Sequence, residues 1–251
     1  MNPARQAAAL AALAFALLAL PSLPALAGPA DYVVTPIVEE GEKEIDFKAG
    51  TSKLRDGGRE SAWSIGFGYG VNSWWFTEIY AKQHHEPGEH ATFDAWEWEN
   101  KFQLTETGKW PVDVGLLLEI ERPKDRTEGY EVTWGPLFQA DFTSRVQGNL
   151  NLLVTKHYRA ENAGPAELGY QWQVKYRDRP VFEYGLQGFG GVGPWSDWAT
   201  RSEQSHIAGP ALFGEVSLGN RHKIKYNAGL LFGMTDASPR HTLRMQAEYE
   251  F

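Results

Sequence analysis

Apolar side chains recur at every second residue through most of this chain, and no other feature restricts the fold as strongly. AWEWENKFQL (95–104) sets Trp96, Trp98, Phe102 and Leu104 against Glu97, Glu99, Lys101 and Gln103. VDVGLLLEIE (112–121) sets Val112, Val114, Leu116, Leu118 and Ile120 against Asp113, Glu119 and Glu121. The chain closes on LRMQAEYEF (243–251) in the same register. Successive side chains of a strand point to opposite faces, so this period writes one apolar and one polar face. Twelve such segments follow one another from KEIDFKAGT (43–51) to the end, and none carries an amphipathic helical period beyond two turns.

Strand in this proportion exceeds what soluble domains carry and requires a closed or sandwiched sheet. The apolar faces then turn inward, as in a soluble β-sandwich, or outward to lipid, as in a membrane barrel. Three features favour lipid. The segments are close to the 9–11 residues that a tilted membrane strand needs. Their connections alternate between short turns (VNS, TETGKW, TSRVQ, RDRP, GNR) and longer polar loops such as QHHEPGEHA and GGVGPWSDWATRSEQ. Aromatic residues gather at two levels, with Trp63, Trp134 and Trp172 toward the loops and Tyr69, Tyr184 and Tyr249 toward the turns. The expected fold is all-β: a closed antiparallel up-and-down transmembrane β-barrel of about 12 strands (10–12), with short periplasmic turns and longer extracellular loops.

The two ends of the chain agree with this. In residues 1–27, Arg5 precedes an apolar run over 7–20, and small residues stand at Ala25 and Ala27. That is the layout of a secretory signal peptide with cleavage after Ala27. Residues 28–42 then form a periplasmic N-terminal segment, and residues 43–251 form the barrel. The final alternating strand ending in Phe251 resembles the C-terminal signature of bacterial outer-membrane β-barrel proteins. The resemblance implies an outer-membrane location, contact with membrane lipid, and reading of Phe251 as an assembly signal by the barrel-assembly machinery. In size and texture the chain is similar to small outer-membrane channel proteins, without a motif that assigns a subfamily.

Composition excludes several classes. The formal charge of −8 lacks any basic cluster, so nucleic acid is not an expected partner. There is no cysteine, so no disulfide holds the exported chain together. After the leader, no run approaches the roughly 20 apolar residues of a transmembrane helix.

With the apolar faces outward, the lumen-lining residues are Glu78, Glu97, Glu99, Lys101, Glu119, Glu121, Glu131, Lys175, Arg177, Glu183, Lys223, Lys225, Arg244 and Glu248, together with Glu44, Asp46, Lys48, Asp113, Asp141 and Glu215. The first half of the wall is mainly acidic and the second richer in base. Two readings stay open: a transverse field across a narrow water-filled pore, or charges paired across a plugged lumen. Gly66, Gly68 and Gly70 face the same lumen and are expected to leave room for Trp74 and Phe76 on the next strand.

His84, His85 and His90 cluster with Glu86 and Glu89 in HHEPGEH, and such side chains suit Zn²⁺ or Cu²⁺. Their spacing matches no metal motif, so a solvated loop without metal or cofactor is expected. Ser205 and His206 are the nearest approach to a hydrolytic pair, but neighbours in a strand point apart. His157 also sits near the outer edge, and the His–Ser–Asn motif of outer-membrane phospholipases is absent. The expected function is therefore non-enzymatic: a narrow channel for small solutes. The alternatives are an outer-membrane enzyme acting on lipid, or a structural or metal-associated barrel with a plugged lumen.

Overall fold

The computed structural model describes residues 28–88, 91–220 and 222–251. The expected leader, residues 1–27, lies outside the described residues, as does His90. Twelve strands form one closed antiparallel barrel. In chain order they are β1 (Lys43–Lys53), β2 (Arg59–Asn72), β3 (Trp75–His85), β4 (Thr92–Gln103), β5 (Asp113–Pro123) and β6 (Tyr130–Asp141), followed by β7 (Val146–Tyr158), β8 (Glu167–Arg179), β9 (Phe182–Pro194), β10 (Ser205–Gly219), β11 (His222–Gly233) and β12 (His241–Glu250). Each strand pairs with its sequence neighbours, and β12 closes the sheet by pairing with β1 from Glu44↔Glu250 to Lys53↔His241. The terminal strand is alternating to its end because it is hydrogen-bonded on both sides, and the Phe251 amide still donates to the Lys43 carbonyl at 2.9 Å. Closure leaves no edge whose backbone groups would go unpaired in lipid.

The outside is apolar. Phe67 is 53 % exposed, Ile79 57 %, Trp96 56 % and Leu243 55 %, whereas their strand neighbours on the other face, Asp46, Glu78, Glu99 and Arg244, are 1–3 % exposed. A fold with an apolar exterior and a charged interior is a transmembrane barrel. Aromatic rings pair at the turn-side rim, with Tyr176 against Tyr184 at 5.3 Å and Tyr249 against Phe251 at 5.5 Å between centroids. Most turn-side connections are tight, as at 73–74 and 180–181. The turn between β4 and β5 is an exception, running over 104–112. Asp113 holds it by accepting from the Gly108 amide at 2.8 Å, and Thr105 Oγ1 accepts from the Val114 amide at 2.8 Å.

The segment before β1 does not hang below the barrel. Residues 28–38, assigned to the periplasm from sequence, run inside it. Val33 and Val34 point to opposite walls, as neighbours in an extended chain must. Val33 packs on Phe189, Ile207 and Leu231; Val34 packs on Leu117, Leu137 and Leu153. Asn151 Nδ2 donates to the Val34 carbonyl at 3.0 Å, and the Val38 amide donates to Gln103 Oε1 at 2.7 Å. Two glycines make the close approach possible. A Cβ on Gly50 would lie 1.7 Å from the Pro29 carbonyl oxygen, and one on Gly70 2.0 Å from that of Glu39.

Candidate functional site

The interior consists of two cavities with the N-terminal segment between them. The cavity on the long-loop side has a volume of about 440 Å³ and that on the turn side about 420 Å³. Among the described residues, Tyr32 alone lines both. Residues 28–31 border the first cavity and Val33 to Glu42 the second, so the segment crosses the lumen from the loop side to the start of β1.

A buried cation holds Tyr32 in place. Lys48 Nζ lies 3.4 Å from the centroid of the Tyr32 ring and 3.6 Å from that of Tyr80. One ring belongs to the segment and the other to the wall, so the ammonium clamps them together by cation–π attraction. Asp46 balances the charge 3.3 Å away, and its carboxylate also accepts from Tyr80 Oη at 2.8 Å and Gln246 Nε2 at 3.1 Å. On its other side the Tyr32 hydroxyl donates to Glu99.

The sequence-derived lining residues fall as follows. Glu97, Glu119, Glu121 and Glu131 border the loop-side cavity. Glu78, Lys101, Lys175, Arg177, Glu183, Lys225 and Glu248 border the turn-side cavity, and Glu99 reaches it beside Tyr32. Lys223 and Arg244 border neither. Lys223 pairs with Glu250 at 2.6 Å, while Arg244 lies over the Phe189 ring, with 5.0 Å from its guanidinium carbon to the centroid.

Neither of the two sequence readings of the charges describes the pairing. Lys82 holds Glu97 at 2.9 Å and also holds Glu121; Lys175 faces Glu183 at 4.0 Å; Arg177 meets Asp141 at 3.0 Å. Each pair joins strands no more than two apart, so the ions pair along the wall rather than across the lumen. What spans the lumen is the N-terminal segment. Between the charged residues of β6 to β9 runs a band of side-chain amides. Arg244 donates to Gln187 at 2.7 Å, Gln187 to Gln173 at 3.0 Å, Gln173 to Asn149 at 3.0 Å and Asn149 to Gln139 at 3.0 Å. This relay of amides crosses β9, β8, β7 and β6.

The remaining candidates separate. The lumen-side glycines do make room for a neighbouring strand, but the rings that fill it are Tyr80 over Gly66 and Phe76 over Gly68, and not Trp74. His84 borders the loop-side cavity, and His85 follows it on the strand and so faces away. Three carboxylate groups whose oxygens lie within 4.8 Å of one another, such as Glu97, Glu99 and Glu119, come closest to a metal-ligand set among the described residues. Neither histidine ring is set against a serine. His206 Nδ1 meets Tyr170 Oη at 2.8 Å and its Nε2 meets Gln204 Oε1 at 2.9 Å, while His157 Nε2 lies 3.2 Å from Glu131. Ser205 and His206 thus form no nucleophile–base pair.

The barrel shares its fold with bacterial outer-membrane β-barrels of known structure. It superimposes on an outer-membrane channel from Pseudomonas putida F1 with a TM-score of 0.61, at 9 % identity over 88 % of this chain and 99 % of that one. It superimposes on the NanC porin with 0.55, at 10 % identity over 82 % and 98 %. The KdgM porin, solved in complex with disordered oligogalacturonate, gives 0.51 at 9 % identity over 83 % and 98 %. At these identities the likeness is one of fold. No protein-family model matches the chain, and no curated protein matches it in sequence.

Proposed function

We propose that this chain is an outer-membrane channel for small polar solutes, exported by a leader cleaved after Ala27, with a lumen closed at rest by residues 28–38. The observation that carries this reading is the interruption of a polar, cavity-bearing lumen by a segment that is not part of the sheet. Barrel closure rests on the pairing of β1 with β12 and asks nothing of residues 28–38. The segment is held by three buried valines, Pro36, one clamped tyrosine and a few hydrogen bonds, a set small enough to release. The fold likeness to porins and the lack of a nucleophile–base pair at His206 or His157 support a channel over an enzyme. Phe251, at the end of a fully paired strand, is placed to be read during assembly.

The test is single-channel recording in planar bilayers. The full chain, exported and purified from the outer membrane, should show a small conductance with brief openings. A deletion of 28–38 that retains residues 1–27 and 39–251 should show a larger, steady conductance. A folded deletion variant that remains silent would overturn the channel reading and leave a structural barrel in its place.

A further inference from the structure

Gly28 begins the buried segment and is also the residue that cleavage after Ala27 would expose. Its backbone nitrogen donates to Asp31 Oδ2 at 2.9 Å, and the Asp31 amide donates back to the Gly28 carbonyl at 3.1 Å. This bend sits in the loop-side cavity beside Glu97, Glu119, Glu121 and Glu131. The two ammonium groups that line the same cavity are engaged elsewhere, Lys82 with Glu97 and Glu121 and Lys48 with Asp46. Among the described residues no cation lies within ion-pair distance of Asp31. The groove for this end of the chain is built into the wall, because Gly50 lacks the Cβ that would strike the Pro29 carbonyl.

We propose that hydrolysis of the Ala27–Gly28 bond supplies the counter-ion of Asp31 and thereby latches the segment in the lumen. The proposal rests on the reading above, in which the leader is removed and residues 28–38 close the pore. Water adds across the amide: Ala27 leaves with the new carboxylate, and Gly28 keeps the nitrogen, which takes up a proton. A neutral nitrogen with one N–H becomes an ammonium with three donors and a unit of positive charge. Before cleavage only the carboxylate carries charge, and after it both partners do, so the hydrogen bond becomes an ion pair as well. Gly28 itself lines the loop-side cavity, so the new ammonium forms where the Asp31 carboxylate already sits. The new terminus is then both the product of processing and the part that fastens the gate.

The test blocks the new amine without touching the barrel. Purified protein is unfolded and acetylated near neutral pH, where the α-amine is reactive and lysines stay protonated. It is then refolded and recorded beside untreated, Asp31→Asn and 28–38 deletion proteins. Acetylation should raise the open fraction about tenfold. Asp31→Asn should do the same, and acetylating that variant should add little, because both changes remove one interaction. A second measurement is independent of conduction: in the folded barrel, the Gly28 amine of the wild type should be methylated more slowly than that of Asp31→Asn. If the deletion opens the barrel while acetylation and Asp31→Asn change neither open fraction nor methylation rate, the latch is wrong and the gate stands. If the deletion conducts no better than the full chain, the gate is wrong, and equal methylation rates would then dispose of the latch as well.

Discussion

Lys48 shows how much of the gate depends on one side chain. Its ammonium touches the rings of Tyr32 and Tyr80 together, so it is the point where the segment is bound to the wall by charge. Lys48→Met keeps the stem and removes the cation. With one cation–π contact of about 0.5–2 kcal/mol lost from the segment, its open fraction should rise by up to about tenfold. An unchanged open fraction in bilayer recordings would refute the clamp. Gly50 offers a steric counterpart. Gly50→Val suits a strand in its backbone preferences, but its Cβ would occupy the space of the Pro29 carbonyl oxygen. The variant should assemble as a barrel yet conduct like the deletion, whereas Ala49→Val, on the lipid face of the same strand, should conduct like wild type.

Along each strand, the alternation made the barrel legible because lipid outside and water inside demand opposite side chains at every step. The same alternation hid the segment's docking sites. Leu117 lies between Leu116 and Leu118, Leu153 between Leu152 and Val154, and Leu231 between Leu230 and Phe232. Each is an apolar residue in a lumen-facing position, where the pattern calls for a polar one. These interruptions were the signal of something apolar inside, and its partner was the short run DYVVTPIV ahead of β1. Nothing local joins the two, since the contacts span most of the chain. The two members of a leucine pair therefore predict different failures. Leu116→Arg places a charge in lipid near mid-membrane and should cost the barrel about 2–4 kcal/mol, read as a lower urea midpoint in refolding. Leu117→Ser faces the lumen, so it should leave that midpoint nearly unchanged and loosen Val34, raising the open fraction. The reverse ranking would place the apolar face inward.

For the barrel as a whole, alternation says which face a charge takes along its strand but not whom it meets. Lys82, Lys175 and Arg177 find acids on nearby strands because a wall of tilted strands brings such side chains closer than the lumen does. Acid outnumbers base on the loop side, and fixed charge in a narrow passage concentrates counter-ions. The 28–38 deletion should therefore prefer cations, and changing Glu97, Glu119, Glu121 and Glu131 together to Gln should move its reversal potential toward anions. The shift should shrink as salt rises, since the screening length falls from about 10 Å at 0.1 M to about 3 Å at 1 M. A shift of the same size at both salt concentrations would show that these carboxylates do not border the path.

The chain of amides from Gln187 to Gln139 answers to none of these conditions. Glutamine and asparagine have no proton to gain or lose in natural waters, and their dipoles need no counter-ions. Acid strong enough to silence the carboxylates leaves these amides as they were, and so does brine. An unplugged barrel should then admit neutral sugars into liposomes at one rate in vinegar, rain and seawater, even as its treatment of salts changes with each. That band of the wall is thus indifferent to the weather outside the cell.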